Sequence, residues 1–405
     1  MAQQPSDSLH LHVFSMHTSP LAQPGRGDAG GMNVYIDRSL RALLALDPAL
    51  TVEVFTLRTD GGPSGTDTLG ERAQVHSLVL PRAVGLAKAD LPAFIPDFAR
   101  AVREKATREP SVLHGHYWLS GLAAREAYPH IPLVQTMHTT AAAKNARLGE
   151  GESPEPAERW EGEKQLVEEA ATLVVNTKFE ADQMRRYYGA TDDRLCVINP
   201  GVDTSIFYPS TRVSALNTGS DTTAHLVFAG RPQPLKGPHL LVEALALLPE
   251  DLQVSLDIMG RSGGTYEQDL LERAHQLGLG QAVTLGSSVS AVELADVFRR
   301  ADIVACPSSS ETFGLVALEA QACGTAVIAS KVDGLVEAVA DGLTGILVTE
   351  RTPHAWAQAI ESLVRNPDFR LGLGAAGAAR AGRMTWEQTA RALDRIYRQL
   401  SLAQP

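Results

Sequence analysis

Cysteine is scarce, with 3 in 405 residues. Cys196, Cys306 and Cys323 share no metal-ligand spacing and sit in apolar surroundings, which reads as buried thiols in a reducing compartment. Basic residues are outnumbered, 36 Lys and Arg against 47 Asp and Glu, for a net charge of −11. That balance argues against nucleic acid or an anionic membrane as the main partner and leaves room only for a local basic pocket. No apolar run approaches the ~18 residues of a membrane span. The segment Met1–His10 is polar rather than signal-like, so the expected location is the cytoplasm. No repeat of solenoid length is visible, and no Gly-Lys-Ser/Thr phosphate loop.

What is present is a regular alternation of short apolar runs and longer amphipathic stretches. Runs such as Leu11–Met16, Val52–Thr56, Val112–Gly115 and Leu133–Met137 read as strands, and Met32–Leu46 and Ile95–Lys105 read as helices. The same alternation continues through His225–Ala229, Gln253–Met259, Ile303–Pro307 and Ala326–Ala329. It predicts an α/β chain of two doubly wound, Rossmann-like domains with parallel sheets, facing each other across a cleft. The Ser- and Thr-rich stretch Ser210–Thr223 marks the boundary, giving domains 1–209 and 210–385. An amphipathic tail helix over about 386–405 can pack back on the first domain.

Three constellations carry chemistry. The first is Ser308-Ser309-Ser310-Glu311-Thr312-Phe313-Gly314-Leu315, with Glu319 eight positions after Glu311. Eight residues return to nearly the same helix face, so if Phe313-Gly314 opens a helix, Glu311 lies at its N-terminal mouth and Glu319 points along the same side. The mouth of such a helix suits a phosphate or sugar hydroxyls. The second is Gly230-Arg231…Lys236-Gly237, following directly on the first strand of the second domain. An Arg fork and a Lys point charge are what a departing diphosphate needs. The third is the Gly-rich loop Gln23-Pro24-Gly25-Arg26-Gly27-Asp28-Ala29-Gly30-Gly31-Met32-Asn33 between first strand and first helix, joined by His116-Tyr117-Trp118 and His138-Thr139 at strand ends. Glycine lets backbone amides approach an anion closely. The Gly25, Gly27 and Gly30 spacing lacks the tight strand junction and ribose-binding acid of a dinucleotide fingerprint.

Together these residues resemble the retaining glycosyltransferases of the two-domain GT-B type, a family that includes sucrose-phosphate synthases. His17-Thr18-Ser19-Pro20, Gly27–Tyr35, His116–Gly121 and His138-Thr139 resemble more closely the inositol-phosphate glycosyltransferases of mycothiol biosynthesis. That resemblance implies transfer of N-acetylglucosamine from UDP-N-acetylglucosamine to 1D-myo-inositol 3-phosphate. It places the acceptor on His17, Asp28, Ala29, Gly30, Gly31, Met32 and Asn33, with Lys88, Tyr117, Thr139 and Arg159 gripping its phosphate. It places the donor on Gln23, Pro24, Gly31, Arg231, Lys236, Glu311, Phe313, Gly314, Leu315 and Glu319. Arg231 and Lys236 hold the diphosphate, Glu311 the sugar hydroxyls and Glu319 the ribose, and His138 contacts the donor sugar beside the reacting centre. A homodimer is also implied.

The expected partners are thus a nucleotide sugar and a phosphorylated polyol. No Asp-x-Asp motif is present, so no catalytic metal is expected, and nothing in the sequence implies the structural magnesium ion that the fold would allow. The sequence leaves the nucleotide base open among UDP, GDP and ADP. It leaves the acceptor open among inositol phosphate, a sugar phosphate and an aminocyclitol. A non-catalytic nucleotide-sugar-binding protein could have dropped Lys236, Glu311 or the Gly-rich loop, and all three are present.

Overall fold

The computed structural model describes residues 8–25, 28–146, 153–210, 222–261 and 264–403. Among the described residues fourteen strands form two sheets, which with fourteen α-helices make two compact units. The first unit comprises residues 1–23, 28–199 and 387–405, and the second residues 24–27 and 200–386. Where the sequence suggested a change at 209/210, the units change at Asn199/Pro200. Most of the Ser/Thr-rich stretch lies outside the described residues.

In the first unit the strands are β1 (His10–Phe14), β2 (Thr51–Leu57), β3 (Gly65–Gly70), β4 (Ala73–Leu78), β5 (Val112–His116), β6 (Leu133–Thr136), β7 (Thr172–Val175) and β8 (Leu195–Val197). The helices are α1 (Gly31–Leu46), α2 (Ile95–Lys105), α3 (Trp118–Ala127), α4 (Ala141–Asn145), α5 (Ala157–Glu169) and α6 (Lys178–Tyr188). The sheet order is β3-β4-β2-β1-β5-β6-β7-β8. All pairs are parallel except β3–β4, which forms an antiparallel edge that the reading of purely parallel sheets did not include. In Gly65–Gly70 only Leu69 is buried, so the strand carries no apolar run to announce it.

Every residue of β1 is buried, as befits a central strand covered on both faces. Leu11 and Val13 share one core with Ile36, Leu40 and Leu43 of α1, whose spacing puts them on one helical face. Phe14 shares the other core with Phe55, Phe98 and Leu119.

The second unit holds β9 (Thr223–Ala229), β10 (Gln253–Met259), β11 (Val283–Gly286), β12 (Ile303–Cys306), β13 (Ala326–Ser330) and β14 (Gly345–Val348). They form an all-parallel sheet in the order β11-β10-β9-β12-β13-β14. Its helices are α7 (Pro238–Leu245), α8 (Tyr266–Gln276), α9 (Ala291–Arg300), α10 (Leu315–Ala322), α11 (Leu335–Ala338), α12 (Pro353–Val364) and α13 (Pro367–Ala381).

The last helix, α14 (Trp386–Leu402), belongs to the first unit from Glu387 onward. Ala390, Leu393 and Tyr397 enter the core around Leu11 and Val13, and Arg398 donates to Asp47 at 2.6 Å. In both sheets chain order reverses beside the first strand, between β1 and β5 and between β9 and β12. Ligands of doubly wound sheets bind beyond the carboxyl ends of the strands at such points.

Candidate active site

In the first unit, the loops leaving β1 and β5 meet through two rings. His17 and Tyr117 lie 4.7 Å apart, centroid to centroid. Tyr117 caps α3 with φ of 74°, a left-handed conformation that costs a non-glycine residue about 1–3 kcal/mol and persists only where surroundings impose it. Its amide donates to Thr136 O at 2.9 Å.

Two cations converge on that tyrosine. Lys88 Nζ lies 5.0 Å and Arg159 Cζ 4.9 Å from the ring centroid. Arg159 is 2% exposed. Its guanidinium donates to Glu163 Oε1 at 2.8 Å, to Thr139 O at 2.9 Å and to Thr139 Oγ1 at 3.1 Å, and it pairs with Glu155 at 2.8 Å. The structure therefore brings Lys88, Tyr117, Thr139 and Arg159 together from four separate parts of the chain.

Burial lowers the pKa of Lys88, with Lys144 and Arg159 adding to the fall and Asp28 opposing it. Burial acts in the same sense on Arg159, but Glu163, Tyr117 and Glu155 outweigh it and its pKa rises. The four-residue spacing of Glu155, Arg159 and Glu163, with Glu155 just before α5 and the other two on it, was the signal that these carboxylates anchor the guanidinium, and the sequence reading did not use it.

The loop between β1 and α1 is shaped by Asn33. Its Oδ1 accepts from Gly30 N at 2.9 Å, and its Nδ2 donates to Thr18 Oγ1 at 2.8 Å and to Ser19 O at 2.6 Å. Both amide hydrogens are thus committed to the protein, and Asn33 holds the Gly-rich loop onto the end of β1. Gly31 and Met32 start α1, Ala29 is buried, and Asp28, Gln23 and Pro24 are exposed. Arg26 and Gly27 lie outside the described residues.

His138 follows β6 with φ of 60°. Its Nε2 is 3.0 Å from His116 Nδ1, the two rings stack at 5.2 Å, and His116 lies 4.0 Å from His114. Burial depresses the pKa of His138, His114 and His17 each to about 3. His138 is therefore a neutral imidazole near pH 7, a hydrogen-bonding group rather than a cation.

In the second unit, Lys236 ends a 3₁₀ turn, Pro234–Lys236, in the loop after β9. Glu311 lies in the loop after β12, and Lys236 Nζ donates to its Oε2 at 2.5 Å. Ser308 Oγ also approaches that oxygen, at 3.3 Å. Gly237 has φ of 73°, and a Cβ there would meet Pro307 O at 2.4 Å, so only glycine lets the two loops approach this closely.

Gly314, with φ of 101°, caps α10, behind buried Phe313. Leu315 opens the helix and Glu319 lies in its second turn, both half-buried. Arg231 follows β9 and is half-buried. Asp333, which the sequence reading missed, accepts from Ser310 Oγ at 2.8 Å and from Glu311 N at 3.3 Å. Its signal was the Asp333-Gly334 turn. Tyr117, His138 and Asp333 are the three non-glycine residues with positive φ among those described.

Burial, with Glu311 adding to it, pushes the Cys306 thiol up to about 12, so no thiolate nucleophile stands beside this loop.

Residues 30–201 match the glycosyl transferase 4-like domain, and residues 217–380 match glycosyl transferases group 1. The D-inositol 3-phosphate glycosyltransferase of Pseudarthrobacter chlorophenolicus is 42% identical over 389 residues, 93% of this chain and 92% of that protein. That of Rhodococcus opacus is 44% identical over 401 residues, 95% of this chain and 89% of that protein. The chain belongs to this glycosyltransferase family.

Among solved structures, a sucrose-phosphate synthase from Thermosynechococcus elongatus superimposes with a TM-score of 0.89 at 28% identity, covering 98% of this chain and all of that one. Anabaena HepE in complex with UDP and glucose, 18% identical, shares the fold at a TM-score of 0.72, covering 96% of this chain and all of that one. The fold is that of the GT-B glycosyltransferases, and no helix among the described residues is long and apolar enough to cross a membrane. As a glycosyltransferase, the chain presents its candidate residues in two sets, one at the reversal point of each sheet.

Proposed function

We propose that this protein transfers N-acetylglucosamine from UDP-N-acetylglucosamine to 1D-myo-inositol 3-phosphate, with retention at the anomeric carbon and without a catalytic metal. The observation that carries this reading is the assembly of Lys88, Tyr117, Thr139 and Arg159 into one cationic, hydrogen-bonding group on the first unit. An unphosphorylated acceptor would not require two cations on one buried ring. The full-length identity to D-inositol 3-phosphate glycosyltransferases supports the same acceptor.

The chemistry follows from charge. The anomeric C–O bond to the diphosphate breaks, negative charge grows on the departing oxygen, and the sugar passes through an oxocarbenium-like state. Lys236 and Arg231 neutralise that growing charge, while Glu311 accepts from sugar hydroxyls and Glu319 from the ribose. The acceptor hydroxyl attacks from the face that the diphosphate leaves and gives its proton to a diphosphate oxygen. One C–O bond forms as another breaks, and UDP departs with the proton. No protein base is needed, which suits a His138 that is neutral and hydrogen-bonded to His116. It donates to, or accepts from, the donor sugar. A cytoplasmic homodimer is part of the proposal.

The test is to incubate purified protein with UDP-N-acetylglucosamine, UDP-glucose, GDP- and ADP-sugars against inositol 3-phosphate, fructose 6-phosphate and free inositol. Products are identified by mass and the anomeric configuration by NMR. The α-linked N-acetylglucosaminyl inositol phosphate is expected. A product only with fructose 6-phosphate would move the reading toward the sucrose-phosphate synthases that the structure also resembles. An inverted product would overturn the same-face step.

A further inference from the structure

At the opposite ends of the first-unit strands from Tyr117 and His138 lies a cluster that the transfer reaction does not use. His10 and His12 are alternate residues of β1 and so share a face of the sheet. Glu53, opposite His12 in β2, and His76, opposite Phe55 in β4, complete it. All four are at most 5% exposed. His10 Nε2, His12 Nε2 and Glu53 Oε2 are each 3.1 Å from the other two. Corners of an equilateral triangle of that edge are about 1.8 Å from its centre, so an ion about 1 Å out of the plane would sit at the ~2.0–2.1 Å of zinc–nitrogen and zinc–oxygen bonds.

The surroundings hold these donors as ligands are held. The other oxygen of Glu53 is 3.0 Å from His76 Nε2, and Thr107 N donates to both oxygens at 3.2 Å, which fixes the carboxylate plane. Thr51 Oγ1 accepts from Arg108 and is 2.8 Å from His10 Nδ1, so it can accept a hydrogen bond from Nδ1–H and leave Nε2 as the lone-pair nitrogen. Thr66 Oγ1 is 3.0 Å from His76 Nδ1.

A hydrogen-bonded hub without an ion accounts for this less well. A single Nε2 proton would have to serve the His10–His12 contact as well as a carboxylate contact.

We propose that His10, His12 and Glu53 bind a divalent transition-metal ion of the zinc class, with His76 orienting Glu53 from behind. The site is structural: it clips β1 to β2 at their amino-terminal ends, whereas the residues of the proposed reaction follow the carboxyl ends of β1, β5 and β6. It does not depend on the substrate assignment.

The experiment uses full-length protein without a histidine tag, analysed for metal by mass spectrometry after dialysis against metal-free buffer. About one equivalent of zinc per chain is expected, falling at least tenfold in His12→Asn and Glu53→Gln. Chelation should lower the unfolding temperature and added Zn²⁺ restore it. Because a misfolded variant would also lose metal, wild-type protein reloaded with Co²⁺ provides a second readout, with d–d absorption of tetrahedral intensity expected. Wild-type protein that retains no metal, shows no Co²⁺ spectrum and melts at the same temperature with chelator or Zn²⁺ would overturn the site.

Discussion

Lys236 Nζ stands 2.5 Å from Glu311 Oε2, so the cation assigned to the donor diphosphate and the carboxylate assigned to the donor sugar are bonded to each other. Both side chains are about a quarter exposed, at 28% and 25%. Such a pair contributes about 0–1 kcal/mol, little enough for a diphosphate to take Lys236 over. Its use is positional, because each side chain holds the other extended over the strand ends of β9 and β12. Lys236→Ala should therefore lower kcat by about 10²–10³-fold while shifting Tm by only a few degrees. Steady-state kinetics beside a thermal melt measure both, and a folded variant with near-normal kcat would remove Lys236 from the reaction.

Lys88 and Arg159 flank the same ring, yet their replacements should not behave alike. Lys88 is half-buried, and no carboxylate contact is needed to explain its place over Tyr117. Lys88→Ala should raise KM for inositol 3-phosphate about tenfold or more and leave KM for the nucleotide sugar within about threefold. Equal effects on both substrates would contradict the acceptor assignment.

Arg159→Ala instead strands Glu163, which is wholly buried and bonded to Arg159, Tyr188 and Ala141 N. Breaking one side of a buried pair costs about 3–5 kcal/mol, so the unfolding midpoint should fall as well as the acceptor affinity. Arg159→Ala combined with Glu163→Gln should recover part of the stability and none of the affinity. Recovery of both would make Arg159 purely structural.

Asp333 offers a test of the donor side away from any charge that touches the diphosphate. It is held at φ of 43° and anchors the backbone of Glu311 through its carboxylate. Asp333→Ala should raise the donor KM about tenfold, since a loosened Glu311 loop costs a charge-assisted hydrogen bond of about 1.5 kcal/mol. Asp333→Asn, which tolerates the left-handed conformation and keeps one acceptor oxygen, should fall between the two. An unchanged donor KM in Asp333→Ala would mean that the loop holds its shape without it.

How much of this could be read from residues alone depended on whether the signal was local. Gln253–Met259 and Ile95–Lys105 were legible to the residue because their apolar periodicity is carried within the segment. The β3–β4 edge was not, because Gly65–Gly70 is polar and exposed and exists as a strand only by pairing. That Lys236 and Glu311 both stand in loops that follow apolar runs was legible. The Glu311–Glu319 spacing pointed to two carboxylates on one side of a helix, but Glu311 lies in the loop before α10 and only Glu319 is on it, and the bond from Lys236 to Glu311 depends on β9 and β12 being neighbours. The cluster of His10, His12, Glu53 and His76 went unread for the same reason. His-x-His on a strand was visible, but Glu53 and His76 join it only through sheet order.

The buried histidines give the protein a predictable acid limit. His17, His114 and His138 titrate near pH 3 in the folded chain, and His116 also falls well below its ordinary value, all through burial. In the unfolded chain each titrates near 6.5. Between those values the unfolded chain binds protons that the folded one refuses, so stability is complete above about pH 6.5 and drains as pH falls. Each such histidine contributes a slope of about 1.4 kcal/mol per pH unit once the unfolded imidazole is fully protonated. The window from pH 6.5 to about 5 separates histidines from carboxylates, with His12 and His239, whose values burial also lowers, adding to the fall, because carboxylates with depressed values begin to matter only as pH approaches their unfolded values near 4. Urea midpoints measured from pH 8 to pH 5 should therefore be level above 7 and fall steeply below 6. His114→Gln, which keeps a hydrogen-bonding group beside Tyr397 and Thr136, should flatten that fall by roughly one histidine's share of about 1.4 kcal/mol per pH unit. A midpoint that stays level down to pH 5 in the parent chain would show that these imidazoles take up protons without leaving the fold.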